Sequence, residues 1–164
     1  MVNVREAEEF LAGHRIAVIG ASDDRANFGR TVVRELRSHG YDAVAVNPTA
    51  STVDGEPCYP ELGAVPGDVD GAIVMVNRSR SAGVVQECID RGIRHVWLFK
   101  GLGGPGAVSD EAVERSREHG VALVAGACPL MFLEPLAWPH RLHRFVRRHN
   151  GSLVGSAEST AKAR

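Results

Sequence analysis

Apolar residues gather in five short continuous runs along the chain, at positions 16–19, 43–46, 72–76, 96–99 and 122–124. None alternates apolar with polar positions, as a half-exposed strand would. Continuous runs bounded by turns mark strands covered on both faces of a parallel sheet. Between the runs the spacing becomes helical. Val32, Val33 and Leu36 share one face, with Arg34, Glu35 and Arg37 outside. Val84, Val85, Cys88 and Ile89 repeat that spacing, and Val108, Ala112 and Val113 give a weaker third case. A lead-in helix is predicted over 4–12, with Val4, Ala7 and Leu11 on one side. Gly40, Gly92 and Gly120 follow Ser-His, Asp-Arg and Glu-His, each where a helix needs a left-handed residue after its cap. A strand starts within about four residues each time, a loop length that sets successive strands parallel.

Three segments depart from this rhythm. Positions 49–70 are rich in Pro and Gly and predict a loop with at most one short helix near 60–64. After the last run, Pro129, Pro135 and Pro139 predict an irregular stretch and then a helix over about 139–149. Positions 151–164 are small and polar and predict a disordered tail. The expected fold is a single doubly wound, Rossmann-like α/β domain over 1–150, with a five-stranded mainly parallel sheet and flanking helices.

Composition narrows the partners. A chain of 164 residues, 44% hydrophobic and 24% charged, can bury one core without staples. A net charge of −1 gives no field that would draw it to nucleic acid or to an anionic membrane. No apolar stretch approaches the ~18 residues needed to span a bilayer. The start, MVNVREAEEF, carries acids and no apolar signal core. Cys58, Cys88 and Cys128 are odd in number and widely spaced, which suits a reduced thiol set. A cytoplasmic protein is expected, and self-association or a partner enzyme is left open.

In a doubly wound sheet, ligands bind at the carboxyl ends of the strands. Those ends read Gly20-Ala21-Ser22, Asn47-Pro48-Thr49, Asn77-Arg78, Lys100-Gly101 and Gly126-Ala127-Cys128. Small residues at the first and fifth ends let backbone approach a ligand. Cations stand at the third and fourth ends, and Arg25 and Arg30 lie in and just after the first loop. A glycine turn leading into a helix N-terminus offers free N–H groups and a positive dipole end, which suits phosphate or pyrophosphate. Singly, each feature is common in α/β proteins, where such arginines keep a surface solvated. Lys100 stands apart, because no other lysine precedes Lys162.

The ligand is narrowed by what is missing. The spacing G-x-G-x-x-G does not follow the first run: after Gly20 the next glycine is Gly29. The second run ends in Asn47-Pro48 rather than in an acid for a ribose hydroxyl. No G-x-x-x-x-G-K-[ST] loop is present. NAD and loop-bound ATP are therefore disfavoured.

The segments IAVIGASDD, the Arg30 helix start, GYDAVAVNPT, GEPCYPEL, VDGAIVMVNR, GIRHVWLFKG and GVALVAGACP together resemble the CoA-binding domain family. That family is related to the CoA-binding half of succinyl-CoA synthetase alpha subunits. The likeness covers about 15–129. It implies CoA or acyl-CoA lying with its nucleotide end across the strand tips. By position, Gly20, Ala21, Ser22 and Arg30 would hold phosphates, Asn47 and Pro48 would line the adenine side, and Val76, Asn77 and Arg78 would flank the ligand opposite. The synthetase subunits also carry a domain with a phosphorylated histidine. No counterpart to it is read here, so ligase chemistry is not carried over. The continuation LMFLEPLAWPHRLHRF departs from the family's stand-alone members and leaves the far side of the pocket undefined.

The remaining candidates favour structural roles. Cys128 has no identifiable base, and a packed thiol is the better reading, with exchange against CoA's own sulfur as the alternative. His140 and His143 share a helix side, yet two ligands do not make a metal site. His39 and His119 precede C-cap glycines, where a histidine suits the helix dipole. The basic amphipathic stretch 140–149 most simply closes the sheet end, Trp97 is core, and Trp138 is core or interface. Three classes follow: a non-catalytic CoA or acyl-CoA binding module, an enzyme, or a structural protein that kept the fold and lost the ligand. The enzyme would be a nicotinamide-dependent oxidoreductase or an acyl-CoA component acting with a partner chain. The residues favour the first class, because no catalytic dyad is visible at the strand tips.

Overall fold

The computed structural model describes residues 3–101 and 104–133. The elements in chain order are α1 (Val4–Leu11), β1 (Arg15–Ile19), α2 (Phe28–Ser38), β2 (Asp42–Val46), β3 (Thr52–Val53), β4 (Glu56–Tyr59), a 3₁₀ turn (Leu62–Ala64), β5 (Gly71–Val74), α3 (Arg78–Asp90), β6 (His95–Phe99), α4 (Asp110–Glu118), β7 (Ala122–Ala127) and a second 3₁₀ turn (Pro129–Phe132). The helix expected over 139–149, with Trp138, His140 and His143, lies outside the described residues. So do the domain end at 150 and the tail 151–164.

Among the described residues the sheet has seven strands rather than five, in the order β3-β4-β2-β1-β5-β6-β7. All neighbours are parallel except β3 and β4, which pair antiparallel. Taken over the parallel strands alone, the order is that of dinucleotide-binding sheets, with the direction of winding reversing at β1. The two extra strands come from the segment expected to be loop. Asp54 and Gly55 connect β3 to β4 with φ of 55° and 78°. A two-residue turn with both central φ positive is the type I′ hairpin that Asp-Gly specifies.

Continuous apolar runs are explained by burial on two faces. Alternate residues enter opposite cores: Ala17, Ile19, Val44, Val46, Ala72, Val74, Val96 and Leu98 face α3 and α4. Ile16, Val18, Ala43, Ala45, Ile73 and Trp97 face α1 and α2. Trp97 is fully buried as expected; its indole N–H donates to the Ala127 carbonyl at 2.9 Å. The expected face of α1 is shifted, because Ala7 and Phe10 are buried while Val4 is exposed. Phe10 meets the Trp97 ring edge-on at 5.3 Å, so the larger side chain takes the core position. Val113 of α4 is likewise exposed, and Ala112 and Ser116 are the buried residues of that helix.

Helices α2, α3 and α4 all end in one motif. The N–H groups of Gly40 and Tyr41 donate to the carbonyls of Arg37 and Leu36, those of Gly92 and Ile93 to Ile89 and Cys88, and those of Gly120 and Val121 to Arg117 and Ser116. With φ of 82°, 79° and 64°, the three glycines supply the left-handed residue of a Schellman cap. Each cap feeds the chain directly into β2, β6 or β7. The carboxyl ends of the parallel strands are thereby collected on one rim.

Candidate functional site

The rim is built around the turn after β1. Gly20 has φ 100°, and a Cβ there would stand 2.8 Å from the Met75 carbonyl oxygen, so the turn lies hard against the chain leaving β5. Its N–H donates to the Val46 carbonyl at 2.8 Å. The turn is therefore fixed from β2 and β5 together, at the reversal point of the sheet.

Helix α2 is brought to this turn by Asn27 and Gly29. Asn27 is the N-cap: its side-chain oxygen accepts from the Gly29 N–H at 2.8 Å, while its amide donates to the Gly20 carbonyl at 3.1 Å. One side chain thus ties the helix start to the turn. Gly29 packs on Ala21 so closely that a Cβ on it would lie 2.7 Å from the Ala21 Cα. Among the described residues, the backbone N–H groups of Ser22 and Phe28 make no hydrogen bond. Open donors at a helix N-terminus are the chemistry that takes an anion.

Two further asparagines end strands in the same manner. Asn47 accepts from the Thr49 N–H and hydroxyl, both at 2.9 Å, and its own N–H donates to the Tyr59 carbonyl. Asn77 caps α3, accepting from the Ser79 N–H at 3.0 Å. Pro48 is exposed beside Asn47, and Val76 is half-buried beside Asn77. Ala21 is buried within the turn and Ser22 is half-buried.

The cations divide into two groups. Arg25, Arg78 and Lys100 are exposed, and among the described residues their side chains form no ion pair or hydrogen bond. Arg30 is engaged. Its Nε and Nη2 both reach Asp54 Oδ1 at 2.8 Å, and Asp23 Oδ1 stands 3.6 Å from Nε. The hydrogen bond and charge of Asp54 hold the Arg30 guanidinium still more firmly protonated than usual. Asp23 also accepts from the Asp54 N–H at 2.8 Å and from the Thr52 hydroxyl at 3.5 Å. The β1–α2 loop, the start of α2 and the β3–β4 hairpin are linked through these three charged residues.

At the far end, β7 carries a bulge. Leu98 pairs with Ala125 but Phe99 with Ala127, so Gly126, with φ 87°, is the inserted residue. Cys128 follows, half-buried, before the Pro129 turn. Phe28 and Phe99 approach to 5.5 Å across the rim, and Phe28 remains exposed. Cys58 and Cys88 lie in the cores, where burial pushes both thiols up, Cys88 to about 12. Among the described residues, no three His, Cys, Asp or Glu side chains gather as a metal site, and no helix is long and apolar enough to cross a membrane.

The turn at 20–22, the strand ends at 47–48 and 76–78, and Lys100 thus lie at the ends of β1, β2, β5 and β6, on one rim of the sheet. Sequence reasoning missed Asn27, Gly29, Asp23 and Asp54. Asn27 had a signal, a capping residue directly before a helical pattern, and Asp54 had one in the Asp-Gly pair.

A family model described as a CoA binding domain matches residues 14–134. An ADP-forming acetate–CoA ligase of Archaeoglobus fulgidus is 35% identical over 118 residues, covering 69% of this chain and 17% of its own length. Subunit alpha of an ADP-forming acetate–CoA ligase II from Pyrococcus furiosus is 30% identical over 125 residues, covering 73% of this chain and 27% of that subunit. The chain therefore spans about a sixth and about a quarter of these curated relatives. Among solved structures, a hypothetical protein from Pyrococcus horikoshii OT3 superposes with TM-score 0.72 at 26% identity, over 80% of this chain and 89% of that one.

Proposed function

This chain belongs to the CoA-binding domain family, and on that footing we propose that it binds coenzyme A or an acyl-CoA, without catalysis, at the carboxyl ends of the sheet strands. The observation that carries the reading is the junction of the Gly20 turn with the α2 N-terminus. There the Ser22 and Phe28 N–H groups are open within the described structure, and Asn27 locks helix to turn. The diphosphate lies on Gly20, Ala21 and Ser22, held by backbone donors, the helix dipole and Arg30. Asn47 and Pro48 line the adenine side, and Val76, Asn77 and Arg78 flank the ligand opposite. Arg25 and Lys100 complement the remaining negative charge. The three free thiols suit a reducing, cytoplasmic setting.

A second reading, an acyl-CoA enzyme component acting with a partner chain, is supported by one observation: the similar Pyrococcus furiosus protein is an alpha subunit. Both readings place CoA on the same rim. Native mass spectrometry of freshly purified protein tests them. The first expects an added mass equal to CoA or an acyl-CoA on the chain alone. Co-purification of a stoichiometric second polypeptide favours the component reading, and an adduct with the mass of NAD overturns both.

A further inference from the structure

We propose that Asp54, on the β3–β4 hairpin, is a positioning residue that orients Arg30 toward the ligand phosphates. The inference deepens the CoA reading and rests on it. Asp54 Oδ1 takes the Nε and Nη2 of Arg30, both at 2.8 Å. A guanidinium has five donors in a rigid fork. With one edge held by the carboxylate, the Nη1 donors make no bond among the described residues. Arg30 stands in the first turn of α2, three residues past Asn27, the cap that fixes the Gly20 turn. An arginine side chain loses much rotamer freedom when it grips a ligand, and one already held in place loses less.

The hairpin is built to hold this carboxylate still. Asp54 adopts φ 55°, a conformation that Asp tolerates in a type I′ turn, and its N–H is pinned by Asp23 Oδ1 at 2.8 Å. Asp23 lies in the loop after β1, so the hairpin and that loop are set against each other through the Asp54 N–H and Thr52 hydroxyl bonds to the Asp23 carboxylate. The Asp54 side chain is 22% exposed and that of Arg30 35%, so the pair sits at the surface with its carboxylate half-buried. Val53, beside Asp54, is fully buried and anchors the hairpin.

The alternative is that Asp54 competes with the ligand for Arg30, and the two roles differ in sign. Removing a carboxylate near a polyanion site strengthens binding by charge alone. Removing a positioning group weakens it. Asp54→Asn removes the charge but leaves an amide oxygen that can accept from Arg30, and the turn survives because Asn-Gly is itself a preferred type I′ pair. Asp54→Gly removes the side chain and keeps the turn.

Calorimetric titration of CoA into wild type, Asp54→Asn, Asp54→Gly, Arg30→Ala and the Arg30→Ala/Asp54→Asn double variant decides the matter. The expected result is a Kd raised about 5- to 10-fold in Asp54→Gly, in the range of coupled charged pairs, and a smaller rise in Asp54→Asn, whose amide oxygen still accepts from Arg30. In the Arg30→Ala background, Asp54→Asn adds no further loss. Unchanged or tighter CoA binding by the Asp54 variants overturns the positioning role while leaving the CoA reading intact, and so does an equal loss with and without Arg30. A wild type that takes up no CoA instead defeats the CoA reading and the inference with it.

Discussion

Gly29 presses on Ala21, with a Cβ on Gly29 falling 2.7 Å from the Ala21 Cα and 2.7 Å from the Asn27 side-chain oxygen. The first clash is with backbone, which cannot rotate aside. The second is with the atom that caps the helix. Gly29→Ala, ordinarily favourable in a helix, therefore drives α2 away from the turn it serves. The expected cost is about 1–3 kcal/mol, as for overpacking in a core, and a fall in Tm of about 3–10 °C. Thermal unfolding followed by circular dichroism reads this, and CoA uptake falls with it. A variant as stable as wild type would mean that the helix start is not held against the turn.

Asn27 separates two roles within one side chain. As an acceptor it caps α2, and as a donor it holds the Gly20 carbonyl at 3.1 Å. Asn27→Asp keeps the acceptor and loses the donor, whereas Asn27→Ala loses both. The alanine variant is expected to lose about 1 kcal/mol of stability for the missing cap. The aspartate variant should stay closer to wild type in denaturant unfolding yet bind CoA more weakly, because the turn is freed and a negative charge is added near the phosphates. Equal CoA affinity of the aspartate variant and wild type would remove Asn27 from the site.

Much of this architecture was legible in the residues. The continuous runs at 16–19 and 43–46 specified strands buried on both sides, and alternate residues do enter opposite cores. Gly40, Gly92 and Gly120 located three helix ends, because only a left-handed residue closes a Schellman cap cheaply. The strand tips were legible for the same reason, since they follow from runs and turns that are local. The β3–β4 hairpin was not read, although Asp54-Gly55 is a strong turn signal, because its strands are two and four residues long and carry Pro57. With the hairpin unread, the Arg30–Asp54 pair was out of reach. Such a pair joins residues 24 apart in sequence, and no periodicity encodes it. Val4 and Val113 fit their helical patterns yet face solvent, because Phe10 and Ala112 fill the available space.

Cys88 gives a pH dependence with a definite sign. It is fully buried, and desolvation raises its thiol from the ordinary 9.0 to about 12. In the unfolded chain the thiol ionises near pH 9; in the folded protein it stays protonated. The stability associated with the neutral thiol is therefore complete below pH 9 and is lost as pH rises toward 12. Urea unfolding between pH 8 and 11 should show a falling midpoint, and Cys88→Ala should flatten that fall. The same slope in the variant would assign the loss to other groups. Native protein at pH 8 should also leave Cys88 unmodified by iodoacetamide until it unfolds.

Selection of CoA over NAD at the rim is read most directly by ligand-dependent melting. A ligand at 100 times its Kd adds about 2.7 kcal/mol to the folded state, which raises Tm by about 5–10 °C in a protein of this size. CoA and acetyl-CoA are expected to produce that shift, and NAD at the same concentration to produce none. Equal shifts with CoA and NAD, or no shift with any of them, would mean that the rim is not a CoA site.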